Sequence, residues 1–330
     1  MKIFLYMLGL LFLLTSCGRE EPEITPWPYE LVELTQNAGE DNEFRIPAWF
    51  DPATGETAAV CGETSHGEDC LFWSEGYYDP NFIPWRDTVF WGKKTADGYV
   101  LAAYSTESGT ERTVCKIRHP GNFQVLGDYL CVGNSMELTH RIYLPDWRED
   151  TSPAGSMPDW VDGDTAYYLI HGARGRDGGI YRQNLYETGE RPPVKELLFA
   201  DAVVRDCRYD GDAVFWTGNS SLYEDGVHLY RYDLRTRENK VLLANFEKWV
   251  FPVSGDWLYY ADKTSLQKIH KETGEVRLAC QTDSITLNTG ANGIREVGGT
   301  ISVQAHDGEN TGRLVYYPRT GEEVFYPITE

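Results

Sequence analysis

The stretch Ser254–Glu275, SGDWLYYADKTSLQKIHKETGE, contains one structural unit that much of the chain repeats imperfectly. It reads as a Gly-Asp turn, an apolar strand beginning at Trp257, a polar hairpin around Asp262, a second alternating strand and a Thr-Gly-Glu turn. One such unit cannot bury both of its faces. The repetition therefore predicts an all-β fold in which similar sheets pack around an axis, as the blades of a β-propeller do.

The Gly-Asp turn recurs at regular intervals in the 330-residue chain. Copies lie at Gly127, Gly163, Gly211, Gly255 and Gly298, with spacings of 36, 48, 44 and 43 residues. The Thr-Gly-Glu turn also recurs, and its glycine supplies the positive φ that a tight turn requires. Together the turns predict about seven four-stranded blades, with six or eight as alternatives. We expect one propeller domain over residues 30–330.

The repeat loses its register between Cys61 and Cys115. This span contains two strand-like runs, 88–91 and 99–104, which is more than one repeat needs. Residues 67–73 form a weaker copy of the Gly-Asp strand. The span predicts either an insertion or an eroded extra blade.

The N-terminus carries an export signal. Residues 1–16 contain a short basic start and the apolar run 3–14, which is shorter than the ~20 residues of a spanning helix. An uncleaved anchor helix is the alternative. Leu14-Thr-Ser-Cys17 resembles the bacterial lipobox, and this resemblance implies cleavage before Cys17 and lipidation of its thiol. We expect a lipoprotein signal peptide at 1–16, a lipid-anchored tether at 17–29, and an extracytoplasmic, membrane-anchored location at the cell surface or in the periplasm.

The charge balance limits the classes of partner. The chain has 51 acidic and 30 basic residues, a net charge of −21. Nucleic acids and anionic lipid head groups bind to basic patches, so neither is an expected partner. The acidity is typical of a solubility feature, and it would also suit a cationic partner.

Six cysteines remain besides Cys17, which in an exported chain allows up to three disulfides. Cys61 and Cys70 are candidates for a disulfide that closes a loop. Cys115 and Cys131 are candidates for a disulfide between neighbouring blades. There is no zinc-like Cys/His spacing and no EF-hand spacing, so the paired aspartates of the Gly-Asp turns are interpreted as structural. The sequence predicts no metal site and no cofactor.

The candidate ligand-binding residues lie on hairpins that follow the aromatic strands, which would line one rim of the central funnel. They are His171, Arg174, Arg176, Asn219, Asp262 and His306. His171, Asn219 and His306 share one offset from their turns, so they are predicted to be equivalent points around the rim. One interpretation is a polar ring that holds a ligand, in which the two arginines would suit a carboxylate or an anionic sugar. The other is ordinary hairpin chemistry.

Four tryptophans crowd the first third of the chain: Trp49, Trp73, Trp85 and Trp91. Exposed rings could stack on sugars, whereas buried rings would be blade packing. The nucleophile pattern G-x-S-x-G and the metalloprotease pattern HExxH are absent from the sequence. No catalytic residue is predicted.

A resemblance to known families rests on Leu258-Tyr-Tyr-Ala-Asp262 followed by Leu266-Gln-Lys-Ile-His270. These residues resemble the YWTD-type blade of lipoprotein-receptor propellers. The chain is also similar to propeller-bearing bacterial surface lipoproteins and, more distantly, to the periplasmic TolB propeller. The resemblance implies a fold and a tendency to bind protein partners, and it identifies no active site.

The sequence therefore predicts a lipid-anchored propeller that acts as a non-enzymatic binding or scaffold module, with another envelope protein as its partner. The alternative is a carbohydrate-binding or carbohydrate-active propeller, a hydrolase or a lyase, that uses the central funnel for a small ligand or a glycan.

Overall fold

A computed structural model describes residues 27–37, 43–62, 70–72, 81–133, 138–149, 157–162, 165–170, 178–184, 196–219, 226–290 and 293–328. All regular structure in these ranges is antiparallel β-strand. The described strands form six sheets, and the seven-stranded sheet among them contains two blades, so the chain is a seven-bladed β-propeller and the predicted fold is confirmed. Within these ranges no helical segment has the length and apolarity that crossing a bilayer requires.

Each of the first three blades consists of its own consecutive strands. Blade 1 consists of β1 (Glu30–Asn37), β2 (Glu43–Phe50) and β3 (Thr57–Ala59). Blade 2 consists of β4 (Ile83–Trp85), β5 (Thr88–Thr95), β6 (Gly98–Ser105) and β7 (Thr110–Ile117). Blade 3 consists of β8 (Phe123–Leu126), β9 (Tyr129–Gly133), β10 (Leu138–Tyr143) and β11 (Arg148–Glu149).

The next two blades share a strand. Blade 4 consists of β12 (Trp160–Asp162), β13 (Thr165–Ile170), β14 (Gly178–Asn184) and the first half of β15 (Glu196–Asp210). Blade 5 consists of the second half of β15, β16 (Ala213–Asn219), β17 (His228–Asp233) and β18 (Asn239–Leu243).

The last two blades complete the ring. Blade 6 consists of β19 (Phe251–Pro252), β20 (Trp257–Asp262), β21 (Ser265–His270) and β22 (Val276–Gln281). Blade 7 consists of β23 (Thr286–Leu287), β24 (Ile294–Val297), β25 (Thr300–His306), β26 (Thr311–Tyr317) and β27 (Glu322–Pro327). Its inner strand is interrupted, because β23 and β24 both pair with β25.

The two repeated turns have distinct places in each blade. The Gly-Asp turns join the first strand to the second, and the Thr-Gly-Glu turns join the third to the fourth, except in the three-stranded blade 1, where the turn at 54–56 joins β2 to β3. Gly255 and Gly274 have φ values of +82° and +73°, which explains the glycine in each turn. At Gly274 a side chain would also meet the carbonyl oxygen of Leu242 at 2.2 Å.

The region with poor register contains no extra blade among its described residues. The two strand-like runs are β5 and β6, the second and third strands of blade 2. Of the strand predicted at 67–73, the structure describes only residues 70–72. These residues form a bend and a turn, so the prediction is wrong for them. An apolar residue occurs at position 72 outside a strand because the Phe72 side chain is buried in the core between blades 1 and 2.

The core is divided among the interfaces between blades. Separate apolar clusters join blades 1 and 2, 2 and 3, 4 and 5, 5 and 6, and 6 and 7. A further cluster joins Val32, Ala48 and Phe50 of blade 1 to Val315 of blade 7. Blades 1 and 7 exchange no strand within the described ranges.

A buried polar network accompanies this last cluster and closes the ring. Glu30 of β1 forms an ion pair with Arg313 of β26 at 2.6 Å and accepts a hydrogen bond of 2.5 Å from the Ser302 hydroxyl of β25. All three side chains are buried. Side-chain contacts therefore close the ring between the first and last blades.

Candidate functional site

The two faces of the ring differ in what they carry. Because the strands alternate in direction, the turns after the first and third strands of blades 2 to 7 lie on one face, which we call the turn face; the turn between β2 and β3 of blade 1 lies on the same face. The hairpins after the second strands and the connections between blades lie on the other, the hairpin face. Pro28 lies beside Gly298 of a Gly-Asp turn, so the described chain begins at the turn face.

A cavity of about 520 Å³ opens on the turn face between blades 1 and 2. Aromatic rings and carboxylates dominate its lining, and we call it the aromatic groove. It is lined by Trp27, Tyr29, Trp49, Asp51, Glu56, Ala58, Thr106 and Glu107. All three of its charged residues are acidic.

The three rings of the groove stand at steep angles to one another. Trp27 lies 5.2 Å from Tyr29 and 5.6 Å from Trp49, with interplanar angles of 68° and 65°. Trp49 is 8% exposed and packs into the core, whereas Tyr29 is 38% exposed. Edge-to-face packing fixes the rings while the outer ring stays accessible.

Two rigid turns position the carboxylates. In the turn of blade 1, the Asp51 carboxylate accepts a hydrogen bond from the Ala53 amide at 2.8 Å, and the Thr54 hydroxyl accepts one from the Glu56 amide at 3.2 Å. In the turn of blade 2, Asp87 accepts a hydrogen bond of 2.5 Å from the Ser105 hydroxyl. It also accepts the Glu107 amide at 3.3 Å. Both turns therefore present their acidic side chains from ordered backbone.

A second cavity of about 480 Å³ continues from the groove toward blade 3 and shares Trp27 and Glu107 with it. Here the chain's own arginines cover the rings. The guanidinium of Arg86 lies 4.5 Å from the Trp85 ring, and that of Arg112 lies 3.6 Å from the Trp147 ring. These are cation–π contacts made within the protein.

A carboxylate completes the first of these contacts. Asp128 accepts a hydrogen bond of 3.2 Å from the Trp85 indole and lies 3.8 Å from Arg86. Burial lowers the pKa of Arg112, although a guanidinium remains charged at any physiological pH.

The central channel contains a third cavity, of about 690 Å³, beside the inner strands of blades 3, 4 and 5. Trp160, Tyr167 and Tyr209 stack in a cluster with centroid distances of 5.0–5.7 Å. The Tyr209 hydroxyl donates a hydrogen bond of 2.6 Å to Asp162. Burial and this hydrogen bond raise the pKa of Tyr209, so its hydroxyl stays protonated.

Other polar groups of the channel have partners within the protein. Arg208 pairs with Asp206 at 2.6 Å, and the Asp159 carboxylate accepts the Leu169 amide at 2.5 Å. Burial raises the pKa of the Cys207 thiol, which keeps it neutral and weakly nucleophilic. These contacts favour a structural role for the channel groups.

The predicted rim residues fall into two groups. His171, Arg174 and Arg176 lie outside the described residues. Asn219, Asp262 and His306 are each the last residue of the second strand of their blades, on the hairpin face. The Asn219 amide donates a hydrogen bond of 2.6 Å to the Gly226 carbonyl, and Asp262 pairs with Lys248. None of the three lines the cavities described above, so their ligand-binding role stays a prediction.

The cysteine predictions also remain open. Cys17 lies outside the described residues. Cys61 and Cys70 pack into the same core cluster, and Cys115 and Cys131 lie on adjacent blades, in β7 and β9. Burial and the nearby charge of Glu149 raise the pKa of the Cys115 thiol to about 11. Both disulfides stay predictions.

The structure also describes three of the four early tryptophans and two aspartates of the Gly-Asp turns. Trp91 is 3% exposed, as blade packing predicts, whereas Trp49 and Trp85 reach cavities and Trp73 lies outside the described ranges. Asp162 is bound by Tyr209, and Asp210 pairs with Lys271 at 2.6 Å. No three His, Cys, Asp or Glu side chains in the described part of the chain are grouped to hold a metal ion.

The aromatic groove is not predicted by the sequence. In the sequence Trp27 and Tyr29 fall in the predicted tether, and Asp51–Glu56 forms a repeated turn. The available signal was the pair of aromatic residues directly before the first strand, since a solvated tether has little use for two large rings.

Solved structures similar to this chain are propellers. The β-propeller domain of the Trilobed protease from Pyrococcus furiosus matches with a TM-score of 0.60 and 12% identity, over 93% of this chain and 96% of that one. Acylaminoacyl peptidase from Pyrococcus horikoshii also matches with a TM-score of 0.60 and 12% identity, over 91% of this chain and 50% of that one. This chain thus spans about half of that peptidase. At these identities the likeness shows the fold alone.

TolB from Acinetobacter baumannii matches with a TM-score of 0.47 and 13% identity, over 92% of this chain and 65% of that one. This score carries no argument, and a particular closeness to TolB stays a prediction. No protein-family model and no curated protein matches the sequence.

Proposed function

We propose that the protein is a lipid-anchored, extracytoplasmic propeller that binds another protein of the cell envelope and catalyses no reaction. The lipid anchor rests on the lipobox-like residues that end at Cys17. The aromatic groove carries the binding part of the proposal. Its cavity is open, preformed and lined by three large rings on one face of a rigid ring of blades.

The composition of the groove and the adjoining cavity supports a protein ligand. Protein interfaces are enriched in tryptophan, tyrosine and arginine, which contribute a large part of their binding energy. The groove and the second cavity together present Trp27, Tyr29, Trp85 and Trp147 with two arginines. This is a large contact surface for a partner, built on turns that need little reorganisation.

The position of Trp27 supports a membrane-proximal partner. Nine residues, 18–26, separate Cys17 from Trp27, and the ten residue steps between the two span at most roughly 35 Å when extended. Because Trp27 lies on the turn face, this face is tethered close to the bilayer. The partner is therefore a membrane protein or a protein held near the membrane.

Site-specific photocrosslinking in cells tests the proposal. A photoreactive amino acid replaces Tyr29 in the groove or, as the matched control, His306 on the hairpin face. We expect one dominant envelope protein to be captured from position 29 and not from position 306. Capture from 306 alone would place the binding surface on the hairpin face, and capture from neither position would contradict the protein-binding function.

A glycan is the second candidate ligand. One observation favours it: the exposed Tyr29 ring lies in the same cavity as three carboxylates, and sugars are bound by rings together with hydrogen-bond acceptors. A glycan array probed with a soluble Cys17→Ser form, with and without Tyr29→Leu, decides between the two. Binding of one sugar class that depends on Tyr29 would replace the protein-binding proposal.

A further inference from the structure

We infer that the aromatic groove binds a cationic side chain, a lysine or an arginine, of the partner protein. The inference rests on the proposed function and specifies which chemistry the groove recognises. Its basis is the juxtaposition of three angled aromatic rings and three carboxylates in one open cavity.

The first argument is charge complementarity. Among the described residues, those with charged side chains that line the groove are Asp51, Glu56 and Glu107, and the whole chain has a net charge of −21. These carboxylates would repel an anionic ligand, whereas a cation is attracted to them over a distance of about one Debye length.

The second argument is the state of the rings. Aromatic faces attract cations, and a cluster of angled rings is the usual binding site for alkylammonium groups. Elsewhere in the described part of the chain, arginine or lysine side chains already cover the rings of Trp85, Trp147, Tyr129 and Trp257. No described cation of the protein lies over Trp27, Tyr29 or Trp49.

The neighbouring cavity shows the arrangement that we expect in the complex. There the guanidinium of Arg86 lies over Trp85 while Asp128 contacts both the guanidinium and the indole. A ring, a cation and a carboxylate thus stabilise one another inside this protein. The aromatic groove contains the ring and the carboxylate, and the partner supplies the cation.

Fluorescence anisotropy on the mature chain with Cys17→Ser tests the inference. The probe is a fluorescein-labelled Gly-Lys-Gly-Lys-Gly peptide, compared with the same peptide carrying acetylated lysines. We expect saturable binding of the charged peptide that weakens as salt is raised, and at least tenfold weaker binding of the acetylated one.

Variants locate the binding. Tyr29→Leu should weaken binding about two- to fivefold and Tyr29→Phe should leave it unchanged, because the ring face binds the cation. A variant with Asp51→Asn, Glu56→Gln and Glu107→Gln should weaken it about tenfold or more at low salt. The matched controls are Glu309→Gln, an exposed carboxylate on the hairpin side of blade 7, and Trp257→Leu, whose ring is already covered.

The outcomes separate this inference from the function on which it rests. If the acetylated peptide binds equally well, or if neither Tyr29→Leu nor the triple variant weakens binding, the cation inference is wrong. A partner captured from position 29 would then still support the protein-binding function. Peptide binding without any captured protein would instead contradict the function. Preferential binding to phosphatidylcholine vesicles would identify a lipid head group as the cation source and overturn the inference as stated.

Discussion

At the scale of single residues, short polar side chains fix the turns between strands, including a turn beside the groove. Asp233 shows the effect most clearly. Its carboxylate accepts hydrogen bonds from the amides of Arg235 at 3.0 Å and Thr236 at 2.7 Å, and it pairs with Arg231 at 3.2 Å. These contacts lower the pKa of Asp233 to about 2. Asp51 binds its own turn in the same way, beside the aromatic groove.

This pKa shift predicts a pH-dependent contribution to stability. Because the pKa in the folded state lies below the unfolded value of 3.8, the contribution is present above about pH 4 and is lost as the pH falls toward 2. We expect Asp233→Asn to lower the free energy of unfolding by about 1–2 kcal/mol at pH 7, with the difference from wild type shrinking toward pH 2. Urea titrations at pH 7, 4 and 2.5 measure it.

Asp97→Asn, in the exposed turn between β5 and β6, is the matched control and should change little at any pH. A difference between wild type and Asp233→Asn that stays constant down to pH 2.5 would contradict the role given to the ionised carboxylate.

At the scale of elements, a buried lysine joins blade 6 to blade 5 at the turn face. Lys271 follows β21 and is mostly buried. Its ammonium donates hydrogen bonds to the carbonyls of Val253 at 2.6 Å and Gly255 at 2.7 Å, and it pairs with Asp210 of blade 5. One lysine therefore connects the third strand of blade 6 to its own first turn and to the blade before it.

We expect Lys271→Met to lower the free energy of unfolding by about 2 kcal/mol, because it leaves Asp210 and two carbonyls without their donor. Chemical denaturation measures this loss. Lys248→Met, which removes an exposed pair with Asp262, should cost less than about 1 kcal/mol. Equal losses from both variants would show that burial of Lys271 is unimportant.

At the scale of the whole molecule, the ring is closed by side chains between blades 1 and 7. Glu30 is 2% exposed and contacts Arg313 and Ser302. Burial lowers the pKa of Arg313 and the charge of Glu30 opposes that effect, so the pair depends on both partners being present.

Removal of one partner leaves an uncompensated buried charge. We therefore expect Glu30→Gln to lower the free energy of unfolding by about 3 kcal/mol, and the double variant with Arg313→Met to recover part of the loss. Limited proteolysis and denaturant titration test this. The control is Glu33→Gln. Glu33 lies on β1, as Glu30 does, and its pair with Arg45 of β2 is exposed. A double variant less stable than Glu30→Gln would contradict the explanation.

The propeller fold and its approximate number of blades could be predicted from sequence, because they depend on the residues of local turns. Gly255 and Gly274 mark turns whose backbone requires a positive φ, and their repetition is enough to predict about seven blades. The aromatic groove could not be predicted in this way. Trp27, Trp49 and Glu107 come from three distant segments, and each is an unremarkable residue in its own turn or strand. Their proximity depends on how blades 1 and 2 pack.

The closure between blades 1 and 7 also determines how the protein responds to mechanical load. Tension applied through the proposed lipid anchor reaches the ring first at Trp27, which packs against Trp49, and then at Glu30. That load falls on the ion pair with Arg313 and on the pairing of β1 with β2, and no exchanged strand in the described chain shares it. We therefore expect blade 1 to separate first under sufficient force. Because blade 1 forms one wall of the aromatic groove, a pull on the anchor would release whatever the groove holds.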